Sequence, residues 1–306
     1  MTKSLHWQQR VGSQRDWVWR GWPIRYTYFR PPQPLTVQPT TPVILLHGFG
    51  ASVGHWRNNL DVIGQHHTVY ALDLLGFGAS RKAAVDYTID LWVAQVYEFW
   101  QTFIQKPVVL VGNSIGSLVG LGAAATHPEM VKGLVMINLP DFQAREEAIP
   151  SWLGPIVSTV ENLVASPVLL KALFYVVRRP TVVRKWAGLA YANPEAVTDD
   201  LVEILSVPAT DPGAAATFSR LLRGMSAPNF SPAVKSLLPT LDIPMLLMWG
   251  LKDRMIPPIL ARKFVKLNPN LELLELDHAG HCPHDECPEQ VNLILLEWLG
   301  GDILPH

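Results

Sequence analysis

Short apolar runs alternate along this chain with longer stretches in which apolar residues recur every three or four positions. The runs Val43 to Leu46, Thr68 to Leu72, Val108 to Val111, Gly133 to Ile137, Met245 to Trp249 and Leu271 to Leu276 each have the length of a strand buried on both faces. Between Ile89 and Ile104 the spacing of Trp92, Val93, Val96, Phe99, Trp100, Phe103 and Ile104 predicts a helix with one face laid on a sheet. Strand, helix and strand repeated in this way imply a mostly parallel, right-handed α/β sheet. Ahead of it, Asp16 to Gly21 and Pro23 to Phe29, rich in Trp, Tyr and β-branched residues, predict two more strands. A polar, Pro-rich connector, Arg30 to Pro42, follows them.

The alternation is interrupted once, between Asn138 and Ile243, by about a hundred residues of helical periodicity broken by prolines. This predicts a core domain formed by residues 1–138 and 240–306, with a helical cap, residues 139–239, inserted after the sixth strand. Within the cap, Val168 to Val177 is nearly all apolar, and Val182 to Ala192 and Leu201 to Val207 continue in the same style. Such helices must cover their apolar surface with the main domain, with each other or with an apolar ligand.

Composition narrows the partners. Of 306 residues 48% are apolar and only 17% charged, against about 25% charged in an average soluble protein. The 25 Lys and Arg against 26 Asp and Glu leave a net charge of −1, so no cationic excess suits a nucleic-acid backbone. Two cysteines, Cys282 and Cys287, make no disulfide framework, and the opening MTKSLHWQQR lacks the apolar stretch of a secretory signal. Both features point to a reduced, cytoplasmic protein, and the apolar composition is compatible with peripheral contact with a membrane. Pro107 to Ala125 is apolar enough for a span and carries Gly112, Gly116 and Gly120 at a helix-dimerising spacing. Asn113 and Ser114 interrupt it where a strand has to turn into a helix.

That turn carries the sharpest chemical signal. Gly112-Asn113-Ser114-Ile115-Gly116 follows a strand and precedes the helical stretch Ser117 to Thr126, the setting of a nucleophile elbow. The turn exposes the Ser114 hydroxyl and aims the Ile115 amide, at a helix N-terminus, at a developing oxyanion. A serine needs a base and the base an orienting acid. His281, in the loop after the last strand, is the candidate base, with His278 as competitor. Asp253, after the preceding strand, is the candidate acid, with Asn138 or Asp141 as the alternative position. The order Ser, Asp, His is that of one serine-hydrolase arrangement among three. His47-Gly48-Phe49-Gly50 after the third strand supplies the second oxyanion donor, the Phe49 amide, with His47 bracing the loop. The Gly-rich loop Asp73 to Ser80 does not open a strand-helix-strand unit in a dinucleotide pattern, so no cofactor is expected. His278, His281, Cys282, His284, Asp285 and Cys287 have the residue types of a zinc site but not its paired-knuckle spacing, so no metal is expected.

With these residues placed, the chain resembles the α/β-hydrolase superfamily over essentially its whole length. Ala279 to Glu286 followed by Pro288-Glu289, the elbow Gly112-Asn113-Ser114 and the cap segment Asp211 to Phe218 are similar to the pheophytinase and chlorophyll dephytylase branch. The resemblance implies cleavage of the phytyl ester of chlorophyll-type pigments by Ser114, Asp253 and His281, near a thylakoid membrane. Dehalogenases and epoxide hydrolases of this architecture need a carboxylate where Ser114 stands. Carbon–carbon hydrolysis, acyl transfer and non-catalytic binding of an apolar ligand are the competing functions.

Overall fold

The computed structural model describes residues 6–31, 40–143 and 166–301. Eight strands form a single sheet in the order β1-β2-β4-β3-β5-β6-β7-β8. They are β1 (Arg15–Trp19), β2 (Trp22–Phe29), β3 (Val43–Leu46), β4 (Val69–Leu72), β5 (Val108–Asn113), β6 (Val131–Ile137), β7 (Met245–Gly250) and β8 (Leu271–Leu276). β1 pairs antiparallel with β2 and β2 with β4; every other pair is parallel. All eight lie within two residues of the predicted runs. Part of the connector after β2, residues 32–39, falls outside the described residues, as do 144–165 of the expected cap.

The sheet is covered on both faces because its central strands are apolar at nearly every position. Alternate side chains point to opposite faces of a strand. Ile44, Leu46, Leu110, Leu134, Met136 and Leu247 therefore meet α1 (Ile89–Phe103) and α2 (Ile115–Thr126) through Trp92, Val96, Phe99, Leu118 and Leu121. Val43, Leu45, Val109, Val111, Val135, Ile137 and Met248 face the other way, onto Trp56, Leu60, Ile63 and onto Val291, Leu295 and Leu299. α1 starts where Thr88 Oγ1 accepts the Leu91 amide, and ends one residue short of the predicted stretch. Pro107 to Ala125 is strand β5 and most of α2. No helix among the described residues is long and apolar enough to cross a membrane.

Between β6 and β7 lie α3 (Pro167–Val177), α4 (Pro180–Ala190), α5 (Asp199–Ser206) and α6 (Ala214–Met225). α4 begins before its periodic stretch because Pro180 takes the first helical position. It stops at Ala190 because Tyr191 turns extended, with φ −93° and ψ 137°. α3 lies on α6, Phe174 against Phe218 with centroids 5.2 Å apart. The helices are tied to the core by Arg10 to Asp200 (2.6 Å), Trp7 Nε1 to Glu203 (3.1 Å) and Lys82 to Asp211 (3.0 Å). The last helix of the chain, α7 (Pro288–Gly300), closes the second face.

Candidate active site

The carboxyl ends of β3, β5, β6, β7 and β8 meet at one place, where open α/β sheets collect their ligands. Ser114 joins β5 to α2 at φ 55° and ψ −118°, a conformation costly for a residue with a Cβ. Its neighbours make the crossing feasible. A Cβ on Gly112 would sit 2.3 Å from the backbone of Gly116, and one on Gly116 only 2.2 Å from the Leu46 carbonyl oxygen. Ser117 stitches the turn to the next strand, donating to the Gly112 carbonyl (2.8 Å) while its hydroxyl oxygen accepts the Ile137 amide (3.0 Å).

Asp253 and His281 are brought together from loops after β7 and β8. Asp253 Oδ2 accepts from His281 Nδ1 at 2.8 Å, and the Asp253 side chain is fully buried. A carboxylate only accepts, so the proton sits on Nδ1 and leaves Nε2 with a free lone pair. Asp253 is fixed by three further donors, the Met255 and Ile256 amides (2.7 and 3.0 Å) and Asn138 Nδ2 (2.6 Å). Asn138, at φ 51°, thus occupies the alternative acid position as a brace for Asp253. Asn113, next to Ser114, donates to the His281 carbonyl at 3.0 Å and so links the elbow to the histidine loop. Ser114 and His281 line the same cavity, though the Ser114 hydroxyl forms no hydrogen bond with His281 among the described residues. His278 is exposed and takes no part.

The Phe49 and Ile115 residues also line the cavity, and neither amide has an acceptor among the described residues. Gly48 presses the Phe49 loop onto the elbow: a Cβ there would be 2.9 Å from Asn113 Oδ1 and 3.3 Å from Ser114 Cβ. His47 holds that loop from below, donating from Nδ1 to the Gly48 carbonyl (2.8 Å) and accepting the Leu74 amide at Nε2 (3.0 Å).

A second buried network flanks the cavity. Tyr191 donates its hydroxyl proton to Asp285 (2.7 Å) and accepts from His55 Nε2 (2.8 Å), while His55 Nδ1 accepts from His284 Nε2 (3.3 Å). Arg57 pairs with Asp285 at 2.8 Å, both side chains almost fully buried. Of the side chains weighed as zinc ligands, His281, His284 and Asp285 are spread over these contacts, and no three such groups converge among the described residues. Burial lifts the Cys282 thiol well above its ordinary range and Cys287 to about 11, so both remain thiols at neutral pH.

Burial sets the acid sensitivity of the fold. It pushes His47 down to about 4, His55 to about 3 and His284 well below an ordinary imidazole. In the unfolded chain these groups bind protons near pH 6.5. As pH falls below that value the unfolded state takes up protons that the folded state refuses, and stability is lost. Asp73 acts in the opposite sense: burial raises it to about 6, so it protonates first in the folded state and offsets part of the loss. We expect the urea midpoint to fall between pH 7 and pH 5; a flat midpoint over that range contradicts this account.

Around His281 and the elbow, the cavity of about 900 Å³ is walled mainly by apolar side chains, among them Phe142, Trp186, Leu205, Met225, Met255 and Ile259. Fold and site together define a hydrolase of α/β architecture. The sequence profile of the alpha/beta hydrolase fold family matches residues 41–288, and the chain belongs to that family. It is 29% identical, over 84% of its length, to the chloroplastic pheophytinase of Arabidopsis thaliana, and spans 60% of that enzyme. It is also 29% identical to 2-hydroxy-6-oxo-6-(2'-aminophenyl)hexa-2,4-dienoic acid hydrolase of Metapseudomonas resinovorans, over 84% of this chain and 83% of that one. Among solved structures, a serine hydrolase involved in carbazole degradation superposes with a TM-score of 0.74 at 23% identity, covering 94% of this chain and 98% of the other.

Proposed function

We propose that this protein hydrolyses a carboxylic ester with a long apolar alcohol or acyl part, without a cofactor, and that the phytyl ester of a chlorophyll-type pigment is the substrate to test first. The observation that carries this reading is His281, held from behind by the buried Asp253, sharing one largely apolar cavity with a serine on a strained strand-to-helix turn. In it, Ser114 attacks the carbonyl carbon and His281 Nε2 takes the hydroxyl proton. The Phe49 and Ile115 amides hold the oxyanion, and Asp253 keeps the imidazole in the Nδ1–H tautomer. His281 then returns the proton to the leaving alcohol, and water repeats the cycle to release the acid. Residues 139–239 act as the cap, whose described residues Phe142, Trp186, Leu205 and Met225 wall the cavity. Its volume lies at the upper end of the ordinary range for ligand sites, and each buried methylene of a phytyl chain contributes about 0.8 kcal/mol.

The second reading, hydrolysis of a carbon–carbon bond in a dienoic acid, rests on the likeness that covers 83% of the Metapseudomonas resinovorans enzyme. The two separate in one experiment. Purified protein is given a short-chain nitrophenyl ester, a long-chain ester, a phytylated pigment and a 2-hydroxy-6-oxo-dienoate. The proposal requires the long-chain or phytyl ester to give the highest kcat/KM; preference for the dienoate replaces it with the second reading.

A further inference from the structure

Helix α3 is apolar around almost its whole circumference, yet among the described residues only one side of it is covered. Leu170 and Phe174 are buried, whereas Val168 is 76% exposed and Leu169, Leu173, Tyr175 and Val176 stand open to solvent to between 41% and 49%. A helix apolar all round is ordinarily enclosed on all sides. Two residues further along, α4 adds Trp186, 55% exposed, which also lines the cavity, and Leu189. An exposed apolar surface of this kind marks an interaction site.

Charge identifies what it meets. From Ser166 to Asn193 the chain carries Lys171, Arg178, Arg179, Arg184 and Lys185 and no acidic residue, although the whole chain has a net charge of −1. Arg184 is paired with Asp199, and Arg178 lies over the Tyr175 ring at 4.5 Å. Lys171, Arg179 and Lys185 are exposed and have no acidic partner among the described residues. A second copy of the chain docked two-fold on this face would bring these cations toward their own images. A surface that is both apolar in depth and anionic at its boundary satisfies both features.

We propose that α3 and the exposed part of α4 seat the protein on a bilayer carrying anionic lipid. The apolar side chains enter the headgroup boundary and Lys171, Arg179 and Lys185 meet lipid phosphates, which leaves Trp186 at the junction of the bilayer and the cavity. This goes beyond the reaction proposed above and does not depend on it, because binding needs no turnover. The test is co-sedimentation with vesicles of phosphatidylglycerol mixed with phosphatidylcholine, against vesicles of phosphatidylcholine alone. Wild-type protein is expected to pellet with the anionic vesicles and to be released by high salt. Lys171→Glu/Arg179→Glu/Lys185→Glu should lower the partition coefficient by at least about a hundredfold, and Leu169→Asp/Leu173→Asp/Val176→Asp should abolish pelleting. Both triple variants lie on exposed positions and should keep the wild-type melting curve. Failure of the wild-type protein to pellet, equal pelleting of the charge variant, or equal binding to the two vesicle types overturns the proposal. So does light scattering that finds a wild-type dimer which the aspartate variant dissolves, since the face would then join two copies of the chain.

Discussion

Ser114→Ala should lower kcat on a nitrophenyl ester by about 10⁶-fold, the scale on which a serine hydrolase loses turnover when its nucleophile is removed. The melting temperature should stay where it was. Two features of the site make the pair of outcomes specific. The alanine keeps the Cβ, so it inherits the same strained φ of 55° that the serine already tolerates. The hydroxyl it deletes is not hydrogen-bonded among the described residues, so no buried partner is orphaned. Loss of activity through misfolding is therefore separable from loss through chemistry by a thermal melt run beside the assay. Wild-type turnover in the variant would remove Ser114 from the mechanism and leave the cavity as a binding site.

Asp285→Ala carries the largest expected effect on stability. Asp285 is the counter-ion of Arg57 at 2.8 Å, and the acceptor for Tyr191 (2.7 Å) and Asn58 (3.2 Å), in a place water does not reach. Truncating it leaves a buried guanidinium uncompensated and two donors without an acceptor, a change that costs about 3–5 kcal/mol. For a chain of this size that lowers the melting temperature by roughly 10 °C. Asp285→Asn, which keeps an acceptor oxygen but not the charge, should fall between the variant and the wild type in a denaturant titration. A loss below 1 kcal/mol for the alanine variant would mean that Arg57 reaches solvent by another route.

The contrast between these two residues shows how far the sequence alone reaches. Ser114 is announced by its own neighbours, since a strand, two flanking glycines and a helix lie within a single short stretch of chain. Strand β3 and strand β7 are legible in the same way, because uniform apolarity over four to six residues is a local property. The expected acid and base, Asp253 and His281, are readable from their positions after consecutive strands, and the fold brings them to 2.8 Å. Asp285, by contrast, stands in a cluster whose composition suggests metal, and its real partners lie 94 and 228 positions away in Tyr191 and Arg57. Asn138 is noticed in the sequence only as a rival acid, and its role as a donor to Asp253 depends on a pairing across 115 positions. Periodicity records which face of an element is buried. It holds no record of which polar groups meet once the elements stack, and for that reason Tyr191, His55 and Arg57 carry no signal before folding.

The short segment leaving α4 has a consequence for how this chain can vary. The His281 amide donates to the Ala190 carbonyl at 2.7 Å, the Asn193 amide donates to Glu286 at 2.6 Å, and the other oxygen of Glu286 accepts the Gly280 amide at 2.7 Å. The imidazole-bearing loop is thus moored to the helical segment between β6 and β7 as well as to the sheet beneath it. Pruning the helices between β6 and β7 would cut those moorings and set the imidazole adrift, so that segment and the sheet have to be inherited, and re-engineered, as one.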